Sequence, residues 1–73
     1  MKKLYEFAEN DTVFVTAIHT TPGRRRLYEA FGIFDGTEIT IFLISGKKVI
    51  VTVGKTKLAL SAGAAAEILA KKE

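Results

Sequence analysis

Apolar and polar positions alternate along much of this chain with the two-residue period of half-buried strands. Residues 13–18 (VFVTAI) are rich in β-branched and aromatic side chains and predict a strand. It ends in the loop 19–23, where Pro22 has no N–H to give a ladder. Leu27, Ala30 and Phe31 then stand at i, i+3 and i+4, on one face of a short helix over residues 24–31. Gly32 follows at the position of a left-handed cap. After the turn signal Asp35-Gly36, residues 37–44 carry the strongest strand pattern of the chain. Ser45-Gly46 breaks it, and residues 48–53 (KVIVTV) alternate again. A shorter strand is expected over 57–60. Ser61 is placed to cap a helical turn through 62–66, although Gly63 weakens it. Residues 67–71 (EILAK) fit either a continuation of that turn or a closing strand.

Register sharpens the reading of the middle hairpin, because directly opposed residues share a face. A three-residue connection over 45–47 pairs Ile44 with Lys48, Leu43 with Val49, Phe42 with Ile50 and Ile41 with Val51. Ile39, Ile41, Leu43, Val49, Val51 and Val53 then form one apolar stripe. An even-length loop mixes the faces, so an odd length is expected. The opposite face gathers Thr40, Phe42, Ile44, Ile50 and Thr52. Leu4, Tyr5 and Phe7 are expected to cover it; left uncovered, it marks a protein contact or self-association. Short strands, tight turns and one small helix give a mainly β fold: a small SH3-like β-barrel with one short helix inserted after the first strand. An OB-like barrel is the alternative from pattern alone.

Composition bounds the picture. The 73 residues have room for one domain, expected over 1–73, and 48% apolar residues can build its core. The absence of cysteine removes disulfides, thiolate metal sites and a cysteine nucleophile. The longest apolar run, 39–44, is too short to cross a bilayer, and the acidic residues after Met1-Lys2-Lys3-Leu4 leave no signal-peptide core, so a cytoplasmic location is expected. A net charge of +3 permits weak attraction to nucleic acid without base-reading or stacking features to support it.

Chemistry is sparse. His19 is the only histidine, with no ligand or triad partner at a local spacing, and Ser45 and Ser61 fall at a turn and a cap. The glycine spacing matches no phosphate loop. No catalytic residue, no metal site and no cofactor is expected, and binding is the function class that remains. Two features break local rules. Arg24, Arg25 and Arg26 open a helix, where the macrodipole favours anions; they either meet an acidic partner surface or a phosphate, or lay their stems over the barrel end. Phe42, Ile44 and Ile50 form the apolar second face of the hairpin.

The segment RRRLYEAFGI (24–33) followed by DGTEI (35–39) resembles the FeoA family pattern R-R-L-x-x-x-G-[IL]-x-x-G-[ST]-x-[IV]. Leu58-Ala59-Leu60-Ser61 and Ala66-Glu67-Ile68 are similar to that family's ending, so the resemblance spans about residues 13–71. It implies an SH3-like barrel, a closing strand over 67–71, and mostly structural roles for the matching Arg26, Leu27, Gly32, Gly36 and Ile39. It also implies an accessory role in ferrous iron transport beside a FeoB-type permease, met from the cytoplasmic side, with weak self-association open to it. A related domain serves metal-dependent repressors, which makes a regulatory module the alternative; a nucleic-acid-binding small barrel is a further one. Two departures stand out. Asp35-Gly36 replaces the family's Pro-Gly, and the hairpin loop is short.

Overall fold

The computed structural model describes residues 1–72. Its elements are β1 (Lys2–Lys3), a 3-10 turn (Leu4–Glu6), β2 (Thr12–Ile18), α1 (Pro22–Ala30), β3 (Glu38–Ser45), β4 (Lys48–Val53), β5 (Thr56–Leu60), α2 (Ala62–Glu67) and β6 (Ile68–Lys72). One antiparallel sheet runs in the order β1-β6-β2-β3-β4-β5 and curls into a small barrel measuring 28 × 23 × 22 Å. Between its two ends lie α2 and the 3-10 turn, which contact each other as well as β4 and β6. The expected mainly β, SH3-like architecture is present. Residues 67–71 divide: Glu67 ends α2, and Ile68 begins the closing strand β6.

Alternation builds the core, and bulges correct it where it would fail. Val13 and Val15 point inward, and so does Ile18, three positions on. A bulge between Val15 and Ala17 in the pairing with β6 makes this possible, and the Thr16 hydroxyl donates to the Leu69 carbonyl at 3.1 Å. Ile39 and Ile41 of β3, Val49 and Val51 of β4, Leu60 of β5, and Ile68 and Ala70 of β6 join Val13, Val15 and Ile18 in the core with Leu4, Tyr28 and Ile33. Small side chains let α2 sit close: Ala65 is fully buried, and the Ser61 hydroxyl accepts from the Ala64 N–H at 3.2 Å.

Three expectations need correction. The helix starts two residues early, at Pro22, whose fixed φ suits the first helical position and whose missing N–H is not needed there. Thr21 caps it, accepting from the Arg24 N–H at 3.3 Å. Second, the β3–β4 loop has two residues, not three: Ser45 pairs with Lys48, Ile44 with Val49 and Leu43 with Ile50. Gly46, at φ +65°, is the first central residue, the requirement of a type II′ turn, and Gly54-Lys55 repeats the device. A bulge at Phe42 absorbs the change of parity, so Ile41 still faces Val51 as the apolar stripe requires. Its consequence is an exchange of faces: Leu43 turns outward, 43% exposed, while Ile44 packs against the core. Third, Leu4, Tyr5 and Phe7 do not cover the outer face of the hairpin. Leu4 lies inside the core and the two aromatics pack against it.

Candidate functional site

The α1 helix presents the opposite face to the one its periodicity predicts. Leu27 and Phe31 are 55% and 47% exposed, Ala30 is exposed too, and Tyr28 is the helix's one buried residue. The reason lies at its C-terminus. Gly32, at φ +86°, lets the chain reverse so that the Ile33 N–H donates to the Tyr28 carbonyl and the Gly32 N–H to the Glu29 carbonyl, both at 2.9 Å. This Schellman arrangement brings buried Ile33 over Tyr28. The barrel therefore grips the helix through Tyr28 and Ile33, and the Leu27–Phe31 stripe faces outward, followed by Phe34 at 50% exposure.

Around Tyr28 the chain closes a polar network. Its hydroxyl donates to Glu67 Oε1 at 2.5 Å and accepts from Arg24 Nη2 at 3.1 Å. Arg24 Nη2 also forms an ion pair with the same carboxylate at 2.9 Å, and the Thr20 hydroxyl donates to its Oε2 at 3.0 Å. The backbone joins in, with the His19 N–H donating to the Glu67 carbonyl at 2.8 Å. Tyr28's hydrogen bond, with help from Thr20 and Arg24, holds the Glu67 carboxyl below its ordinary pKa despite some desolvation. Burial, reinforced by the bond to Glu67, pushes the Tyr28 phenol up. Glu67 and Tyr28 lie 39 residues apart, so no local spacing announces the pair.

Two of the three arginines are engaged within the fold. Arg24 is spent on Glu67 and Tyr28, and Arg25 Nη2 donates to the Ile18 carbonyl. Arg26 is exposed and has no hydrogen-bond or ion-pair partner among the described residues. Of the hairpin candidates, Phe42 is 46% exposed and Ile50 half-buried on the outer face, while Ile44 faces inward. The structure does not bring these six side chains to one place: the arginines lie on α1, Phe42 and Ile50 on the β3–β4 outer face, and Ile44 on the inner one. Leu43 joins the second group, a residue the sequence reading assigned to the core. The Gly-Lys loop was the signal that could have found it.

That outer face is a shallow groove of about 340 Å³. Leu43, Ile50 and Ala59 lie side by side across β3, β4 and β5, with Ser45, Lys48 and Ser61 at one end. The Lys57 ammonium sits 3.9 Å from the centre of the Phe42 ring nearby. His19 is exposed, and among the described residues no group of three or more His, Cys, Asp or Glu side chains gathers to hold a metal ion. No helix among them is long and apolar enough to cross a membrane.

A six-stranded small barrel closed by two short helical segments defines a domain of the SH3-like class. The FeoA domain model matches residues 2–72, and the chain belongs to the FeoA family, which is associated with ferrous iron transport. Solved structures share the fold. An iron uptake regulatory protein (FeoA) superposes with a TM-score of 0.85 at 24% identity, over 99% of this chain and 96% of the other. Stenotrophomonas maltophilia FeoA, solved as a zinc complex and described as a prokaryotic SH3 domain protein, gives 0.79 at 24% identity, over 97% and 90%. A manganese-dependent transcriptional repressor gives 0.82 at 20% identity, with 92% of this chain covering 39% of the repressor. No curated protein matches by sequence.

Proposed function

We propose that this chain is a cytoplasmic accessory protein of ferrous iron transport that works by docking on a FeoB-type permease, and that it binds without catalysing a reaction. Membership of the FeoA family supports the pathway. The observation that carries the docking is the exposure of large apolar side chains in two places, Leu27, Phe31 and Phe34 around α1 and Phe42 with Leu43 on β3. A domain this small gains stability from every apolar side chain it can bury, and leaving five outside is the mark of a contact surface. Arg24, Arg25, Arg26, Phe42, Ile44 and Ile50 were the sequence candidates for that contact. Arg26, Phe42 and Ile50 are the ones whose placement leaves them free to serve it directly.

The test is capture of a detergent-solubilised permease on immobilised chain. Wild type is expected to retain it, and Phe42→Ser or Arg26→Ala to retain measurably less. Retention unchanged by both substitutions removes these residues from the contact, and failure of the wild type to retain any permease overturns the reading. The repressor likeness supports a second reading, a regulatory module for a metal-dependent transcriptional repressor. Co-elution with a winged-helix regulator, with no affinity for the permease, would favour it.

A further inference from the structure

We propose that the outer face of β3–β4–β5 is the docking groove for an acidic, extended segment of a partner protein, one apolar side chain of which seats over Leu43, Ile50 and Ala59 between carboxylates that meet Lys48 and Lys57. This rests on the reading of the chain as a docking protein and names the chemistry of what docks.

Charge distribution is the first argument. Between Glu38 and Glu67 the sequence contains Lys47, Lys48, Lys55 and Lys57 and no acidic residue at all. Glu38 opens β3 beside Thr40, Thr52 and Gly54, at the end of the face away from Lys48; the other seven acidic residues lie outside this meander, where seven of the eleven basic ones balance them. The net positive charge of the protein belongs to β3–β4–β5 alone. Glu9 is the nearby exception in space, but it accepts from the Ile44 N–H, on the β2-facing edge of β3 and away from the groove. A cationic rim around an apolar floor complements a ligand with the reverse pattern, and such complementarity selects partners as well as speeding their arrival.

Shape is the second. The bulge at Phe42 places two successive side chains, Phe42 and Leu43, on the outer side. Ala59, directly across from Ile50, is too small to fill the space beside it. Large residues on β3 and β4 with a small one on β5 leave a groove of about 340 Å³, enough for a leucine- or phenylalanine-sized side chain.

Backbone chemistry is the third, and it separates a polypeptide from a lipid surface. β5 ends the sheet and pairs only with β4 among the described residues, so its other edge offers N–H and C=O groups. An extended segment laid along β5 pairs with that edge and directs alternate side chains onto the outer face, beside Ala59. A phosphate headgroup satisfies the lysines but leaves the carbonyls unpaired.

The experiment is a random twelve-residue peptide display selection on the immobilised full chain, followed by amide chemical-shift mapping with the enriched peptide. The expected result is an apolar residue flanked by Asp or Glu, with shifts concentrated in Thr56–Leu60, Leu43 and Ile50. Lys48→Glu is expected to weaken that peptide at least about tenfold, and a peptide with its flanking acids changed to lysine to recover most of the loss. Lys48 is exposed, and the unchanged remainder of the amide spectrum shows that the variant is folded. Peptides without acidic residues, shifts confined to α1, or no enrichment overturn the groove. So does co-sedimentation with phosphatidylglycerol vesicles that the enriched peptide cannot compete away. If Lys48→Glu loses the peptide but keeps the permease, the groove stands and serves another partner. If the permease binds wild type and Lys48→Glu alike and no peptide is enriched, the docking reading stands and the groove falls.

Discussion

The corner where α1 meets α2 and the outer face of β3–β4–β5 use similar residues to opposite ends. At the corner, charged and polar side chains face one another: Glu67 takes the Tyr28 hydroxyl, the Arg24 guanidinium and the Thr20 hydroxyl within 3.0 Å or less. On the sheet face, lysines stand beside apolar side chains: Lys57 lies over the Phe42 ring, Lys47 over Tyr5, and Lys48 has no ion-pair partner among the described residues. A run of three arginines draws the eye in a sequence, yet two of the three complete the fold. The quieter Phe42, Leu43, Ile50 and Ala59 make the open surface. Charge density along a chain does not identify a binding face; what matters is which charges find partners when distant segments meet.

The largest expected effect separates the two faces of the meander itself. Ile41 is fully buried and Leu43, two residues on, is 43% exposed. Ile41→Ala removes packed core and leaves a cavity, at a cost of about 2–5 kcal/mol, a large share of what a domain of this size has. Leu43→Ala is expected to stay within about 0.5 kcal/mol. Chemical denaturation of both variants checks it. A substantial loss for Leu43→Ala would mean that the bulge at Phe42 is absent in solution and the simple alternation holds.

That pair also shows where sequence reading succeeds and stops. Strands β2 to β5 were visible because β-branched residues alternate between glycine-bearing turns, and Ile39, Ile41, Val49 and Val51 fell to the core as alternation requires. Ile44 and Leu43 exchanged places because a bulge is a local change of period, set by a two-residue Gly-Lys turn that demands one parity and a core that demands the other. Leu27 and Phe31 were misread for a different reason. Helical periodicity reports a face, and the barrel grips this helix by Tyr28 and the Gly32–Ile33 reversal, leaving the apolar stripe outside. The Tyr28–Glu67 pair was beyond reach, since only the closing strand brings residues so far apart together.

At the corner, Tyr28→Phe keeps the buried ring and removes only the hydroxyl. Glu67 retains Arg24 and Thr20, so the expected cost is about 1 kcal/mol, read as a shift in denaturation midpoint. A neutral outcome would make the corner as open as the sheet face and end the contrast.

Titration sharpens the same point with two signs. The Glu67 carboxyl is lowered from 4.5, first by the Tyr28 hydrogen bond, so the folded state favours its charged form. That stabilisation is complete above the ordinary value and fades as pH falls through the folded one. The Tyr28 phenol is raised from 10.0, first by burial, so the folded state favours its neutral form. Its contribution is complete below the ordinary value and is lost as pH rises through the folded one. The corner therefore weakens at both extremes. Glu67→Gln is expected to flatten the acid limb of stability against pH in part, because Asp11, lowered by the Ala8 N–H and aided by Lys72, keeps its own share. Tyr28→Phe is expected to flatten the alkaline limb. An acid limb unchanged by Glu67→Gln would place all of that dependence on other carboxylates.

The smallest expected effect lies on the outward stripe of α1. Leu27→Ser and Phe31→Ser replace exposed side chains and change helix propensity only slightly, so each is expected to move stability by no more than about 0.5 kcal/mol. The informative comparison is between low and high protein concentration. A stripe that stays in water gives the same thermal midpoint at both, and the serine variants track the wild type. A wild-type midpoint that rises with concentration, and loses that rise in either variant, means a second copy buries Leu27 and Phe31. The open surface of the protein would then have two parts, one closed by self-association through the helix and one left on the sheet for a different partner.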